Sequence, residues 1–154
     1  MELAFSRFRR EYYQEYAAWF SDPELNRQLG PLDEDWLSAV LSEQAAETGD
    51  TWVVFLSMEM VGVVSTVFEP ENRFRAGITE IAVKPTRRRQ GLAKAILKKL
   101  LSDHYDQGII SHVTYVKATN EVSRHLFEGL GFMAQSEPDR NGFIEYRHSP
   151  SQLR

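Results

Sequence analysis

Val83-Lys84-Pro85-Thr86-Arg87-Arg88-Arg89-Gln90-Gly91-Leu92-Ala93 decides the reading of this chain. A strand-like run, residues 78–83, meets Pro85, then three arginines, then a glycine that opens an amphipathic helix. Cations at a helix N-terminus oppose its dipole, by roughly 0.3–1 kcal/mol each. Arg87, Arg88 and Arg89 therefore stand where a purely structural helix would place Asp or Glu. A multiply charged anion bound there removes the conflict, because it takes the free backbone N–H groups and the arginines together. Gly91 lets such an anion approach the backbone closely. The stretch reads as a phosphate or pyrophosphate cradle.

Around it the chain has 154 residues, enough for one domain, and we expect residues 1–154 to form a single domain. Hydrophobic and charged fractions of 42% and 26% are those of a folded, soluble chain. No apolar run reaches the roughly 18 residues of a membrane span. No basic-then-apolar leader is visible, so the expected location is cytoplasmic, with no membrane partner. Without cysteine there is no disulfide, thiolate nucleophile or zinc–thiolate site. His104, His112, His125 and His148 lack metal-ligand spacing, so no metal is expected and they read as packing or surface residues. A net charge of −4 and the lack of interleaved aromatics argue against a nucleic-acid partner.

Residues 3–9 alternate as a first strand. Tyr12, Tyr13, Tyr16, Trp19 and Phe20 follow at helical spacing. Asp22-Pro23-Glu24 is an N-cap with proline at the first helical position, and Gly30-Pro31 stops that short turn. Residues 35–47 place Trp36, Val40 and Leu41 on one helix face, closed by Gly49. Residues 51–57 and 60–68 form a hairpin linked at Met58-Glu59. Residues 78–84 make the next strand. Residues 91–104 make a firm amphipathic helix, with Leu92, Ile96 and Leu100 inward and Lys94, Lys98 and Lys99 outward. A β-branched strand follows at 109–117, a short helix at 121–129, and a return at Gly131-Phe132. Asn141-Gly142 turns the chain into a last strand at 143–147. The order is β-α-α-β-β-β-α-β-α-β-β.

Two motifs in this order resemble a known family. Arg88-Arg89-Gln90-Gly91-Leu92-Ala93 resembles the Q/R-x-x-G-x-G/A acetyl-CoA signature of the GNAT N-acetyltransferases. Asn120-x-x-Ser123-x-x-Leu126-Phe127-Glu128-x-Leu130-Gly131-Phe132 is similar to their N-x-x-A-x-x-L-Y-E-x-x-G-F segment. The resemblance implies an α/β (α+β) fold with a mixed, twisted, mostly antiparallel sheet flanked by helices. Its central strands, here 78–84 and 109–117, would splay to form the acetyl-CoA cleft. Pantetheine would pair with main-chain groups near Ile81, Ala82 and Val83. Backbone N–H groups of Arg89, Gln90, Gly91, Leu92 and Ala93, with the Arg88 side chain, would hold the pyrophosphate. Asn120 would contact the pantetheine or acetyl end, with Ser123 and Phe127 along the thioester side. The first helices would wall the acceptor, which singles out Trp19, Asp22 and Asn26.

The implied activity moves an acetyl group from acetyl-CoA, as cosubstrate, to a primary amine by direct attack in a ternary complex. Positioning supplies roughly 7–11 kcal/mol of such a reaction, against about 3–5 for a general acid or base. That matters because Phe127 stands where many members carry a tyrosine acid. Tyr115, on the neighbouring strand, is the candidate to replace it. Glu80 is the candidate base, since it shares a strand face with Ile78 and Ala82, an odd place for an unpaired carboxylate. An ion pair or an exposed position would explain Glu80 equally well. Many relatives carry the base about three residues earlier, where this chain has Gly77. An acyl-CoA-binding sensor without turnover is the alternative reading. The acceptor, small amine or protein amine, rests with residues 20–32 and 68–75, which carry no pattern. The last hairpin offers an edge at which two copies could pair as a homodimer.

Overall fold

Patterning and turn chemistry generate the elements in the computed structural model, which describes residues 2–42 and 47–153. Their order is β1 (Leu3–Arg7), α1 (Tyr13–Trp19), α2 (Pro23–Leu29), α3 (Glu34–Leu41), β2 (Gly49–Leu56), β3 (Glu59–Glu69) and β4 (Asn72–Val83). Then come α4 (Leu92–Asp106), β5 (Ser111–Lys117), α5 (Glu121–Gly129), β6 (Met133–Ala134) and β7 (Phe143–His148). The strands form a seven-stranded, mostly antiparallel mixed sheet in the order β1-β2-β3-β4-β5-β7-β6. This is the expected mixed α/β class, with one more helix between β1 and β2 than the expected order contained. Asp22 makes that helix real: its carboxylate accepts from Leu25 N at 3.0 Å, and Pro23 occupies the first turn. The expected helix over 35–47 is present as α3; residues 43–46 lie outside the described residues.

The chain divides into two compact units. Unit 1 comprises Met1–Thr66 and Glu80–Leu92; unit 2 comprises Val67–Thr79 and Ala93–Arg154.

In unit 1, β1 pairs antiparallel with β2 from Leu3↔Leu56 to Arg7↔Trp52. The β2–β3 link is Ser57-Met58, one residue earlier than expected, with φ of 50° and 70°. Two successive positive φ values are what a two-residue hairpin turn requires. That places Glu59 in β3 rather than in the link. The core joins Phe8, Tyr16, Trp19, Leu25, Leu37, Val53, Met60, Val63 and Ala82. Its rings meet edge to face, Phe8–Trp36 at 5.0 Å and Tyr16–Trp19 at 5.4 Å, the geometry aromatic quadrupoles favour.

In unit 2, α4 buries Ile96, Leu97, Leu100, Leu101 and His104. β4 pairs in parallel with β5 through Arg75–Gly77 against Ser111–Val113, and β5 pairs antiparallel with β7 from His112↔His148 to Lys117↔Phe143. Along β5, His112, Thr114 and Val116 are buried while Tyr115 on the other face is exposed. His104 Nδ1 meets His112 Nε2 at 2.8 Å, and Tyr105 Oη meets His148 Nδ1 at 2.7 Å. His148 Nε2 lies 3.0 Å from the Leu130 carbonyl and so carries the proton. These histidines pack, as expected. The last hairpin is shorter than expected on its β6 side. Pro138 has no N–H to offer, and the loop instead folds on Asp139, which accepts from the N–H groups of Asn141 and Phe143.

Candidate active site

The arginine loop lies in unit 1 and leads into α4. After a 3-10 turn at Pro85–Arg87, Arg88 is extended, Arg89 adopts φ 61° and Gly91 φ 75°. Around Gly91 no atom lies within 4 Å of where a Cβ would stand, so its backbone is open to an approaching group. The first N–H groups of α4, starting at Leu92 and Ala93, have no intrahelical partner by helix geometry. Donor chemistry and space together fit a diphosphate.

The three arginines are committed differently. Arg87 Nε and Nη2 donate to the two Glu59 oxygens at 3.1 and 3.0 Å, and Nη1 to Gln90 Oε1 at 3.0 Å. Lys84 Nζ joins Glu59 at 3.3 Å, and these bonds, Arg87's first, hold the carboxyl below its usual range. Arg88 Nη2 donates to Asp22 Oδ2 at 2.6 Å, and its Nη1 stands 3.7 Å from Glu24. Arg89 is exposed and makes no ion pair among the described residues. Ahead of the loop, Ile81 and Val83 are partly buried and Ala82 is buried; Lys84 N–H donates to the Val61 carbonyl at 2.9 Å.

Glu80, on β4 in unit 1, is not exposed and makes no ion pair among the described residues. The Tyr16 hydroxyl donates to its Oε2, and Trp36 Nε1 donates to its Oε1 at 3.3 Å. Burial pushes the Glu80 carboxyl above its usual range, and the two donors pull the other way. Tyr16, fully buried, is itself pushed up by burial and then by the neighbouring carboxylate. The arrangement is a carboxylate fixed by two aromatic donors, its proton affinity raised by burial.

Trp19, Asp22 and Asn26 occupy unit 1 near the start of α2. Trp19 is a core residue, 5% exposed, whose buried Nε1 has no hydrogen-bond partner among the described residues. Asn26 folds its side chain against Gly30, where a Cβ would come within 2.2 Å of its Oδ1. In unit 2, Asn120 caps α5, its Oδ1 accepting from Ser123 N at 3.1 Å. Phe127 is buried edge-on against Phe132 at 5.1 Å. Tyr115 is 58% exposed and lines a groove of about 380 Å³ with Val67, Gly77, Thr79, Val113 and Arg147.

The model of the Acetyltransferase (GNAT) family matches residues 5–132. The chain belongs to the GNAT acetyltransferase family. As an enzyme of the GNAT family it is an acyltransferase, as the motifs implied. No curated protein matches it in sequence. Among solved structures it resembles the ribosomal-protein-S18-alanine N-acetyltransferase from Escherichia coli (TM-score 0.70, 20% identity, 96% of this chain and 94% of that one). It also resembles the Vibrio cholerae spermidine N-acetyltransferase in complex with CoA and spermine (TM-score 0.82, 13% identity, 97% and 96% covered). A third likeness is AAC(6')-Ib in complex with parmomycin and acetyl-CoA (TM-score 0.82, 14% identity, 99% and 96% covered). Identities this low speak for the GNAT fold.

The sequence places Tyr16 and Trp36 of this GNAT chain on helix faces and Glu59 in a turn, without marking them as partners of the site. The signal for the first pair was an aromatic run facing a strand with one carboxylate. For Glu59 it was the need for a counter-ion to three consecutive arginines.

Proposed function

We propose that this GNAT acetyltransferase forms one catalytic domain that moves an acetyl group from acetyl-CoA to a primary amine by direct attack in a ternary complex. The observation that carries the reading is the loop before α4, where helix N–H groups without intrahelical partners and an open Gly91 adjoin Arg89, which makes no ion pair among the described residues. Backbone N–H groups of Arg89 to Ala93 would hold the diphosphate. Main-chain groups of Ile81 to Val83 would pair with pantetheine. Asn120 keeps its amide NH₂ to offer, since the cap bond uses its Oδ1.

In the reaction the amine nitrogen forms a C–N bond at the thioester carbonyl and the C–S bond breaks. An alkyl ammonium with a pKa of about 10.4 must first lose a proton. Glu80, through a water, is the acceptor for that proton. As the amide forms the nitrogen sheds its second proton to water, and the departing thiolate takes one from water or from Tyr115, whose exposed side chain lines the unit 2 groove. Holding amine and thioester together does most of the work.

The test is thiol release from acetyl-CoA with a panel of polyamines, amino acids, aminoglycosides and short peptides. Amine-dependent release with a matching acetylated product is expected. The buried Phe127, which lacks a hydroxyl, favours the second reading, a CoA-binding sensor. Tight CoA binding without any acetylated amine would move the conclusion there.

A further inference from the structure

One bond serves neither the loop's backbone nor the cap of α2. Asp22 already caps α2 through the Leu25 N–H, yet the same oxygen takes Arg88 Nη2 at 2.6 Å across 66 positions of sequence. Both side chains are about a third exposed or less, 35% and 24%. Arg88 Nη1 faces Glu24, also in the first turn of α2. Both terminal nitrogens of Arg88 are thus turned to α2. The neighbouring Arg87 is spent on β3 through Glu59. Two successive arginines fasten the loop to two different elements. The Arg88 bond is also what most holds Asp22 below its usual range, so the carboxylate is charged throughout the neutral region.

We propose that Arg88 is a positioning residue that fastens the start of α2 to the cofactor loop through Asp22, and so sets the segment carrying Asn26 for the acceptor. This rests on the proposed function for the roles of the loop and of α2. The diphosphate is then met chiefly by main-chain N–H groups, and Arg88 acts on the acceptor side of the reaction.

The test uses the full chain with Asp22→Asn, Arg88→Gln, their combination, and Arg88→Lys. Asn caps a helix as well as Asp, so Asp22→Asn removes the ion pair and leaves the cap. Hydrogen exchange of the α2 amides, calorimetry with CoA, and steady-state kinetics with an amine from the panel are the readouts. Each single change should speed α2 exchange about fivefold, and the double change no more than either, as one shared bond requires. Arg88→Lys should restore most of the protection. The KM of the amine should rise severalfold, by more than kcat falls, and CoA affinity should fall by less than about tenfold. Unchanged α2 exchange in Arg88→Gln, or a tenfold loss of CoA affinity with α2 intact, would overturn the proposal. A wild-type chain that binds no CoA would sink the proposed function instead, and the exchange comparison would still decide the Arg88–Asp22 link.

Discussion

In the proposed reaction Glu80 takes the proton of the amine. Its Glu80→Gln variant should lose about a hundredfold in rate below the amine's pKa, the scale of a general base. Above that pKa, where the amine is already neutral, the loss should shrink; a wild-type pH–rate profile would remove Glu80 from the mechanism. Tyr16→Phe removes a donor that lowers the Glu80 pKa, so the carboxyl should rise further. The acid limb of the pH–rate profile then moves to higher pH, read from kcat/KM between pH 5 and 9. The oddity of Glu80 was legible in sequence, because a carboxylate on an apolar strand face stands out. Its partners were not: Tyr16 and Trp36 lie 64 and 44 positions away, and a distant hydrogen bond leaves no periodic trace.

Elements were read well where one face is buried and poorly where none is. α4 and α5 were found nearly to the residue because their apolar stripes recur at helical spacing. The first half of β4 escaped because Arg73, Phe74 and Arg75 are all exposed, which erases the alternation of a half-buried strand. α5 also begins on Asn120, which caps it and to which the proposed function gives a second duty. Asn120→Ala should lower stability by about 1 kcal/mol through loss of the cap, seen as a lower Tm. CoA affinity should fall as well, and calorimetry on the folded variant separates the two effects. At the start of α4, Gly91→Glu meets no neighbouring atom, yet it adds a left-handed strain of about 1 kcal/mol and a negative charge. The fold should survive and CoA binding should be lost. Unchanged affinity would remove the loop from cofactor binding.

Stability of the whole molecule should depend on pH through unit 2. Burial, then the neighbouring His104 and His148, hold the pKa of His112 down at about 3. Unfolded, the ring titrates near 6.5, so between these values the unfolded chain binds the extra proton. Stability is therefore full above about pH 6.5 and falls by about 1.4 kcal/mol per unit as pH drops toward 3. Urea midpoints at pH 7.5 and 5 should differ accordingly, and His112→Gln should flatten the difference. The alternation of β5 marked His112 as an inward position, but only the folded chain brings three histidines together.

Both β3 and β4 pass from one unit into the other, which has a consequence for synthesis on the ribosome. Every residue of unit 1 has been made once Leu92 has been added. The segment Val67–Thr79 has by then been synthesised too, but Ser111–Val113, which pair with its Arg75–Gly77, are still untranslated. A nascent chain of that length thus carries a strand end whose partner does not yet exist. A gene cut after Leu92 would leave that end permanently open, whereas supplying residues 93–154 as a separate chain gives it the missing partner.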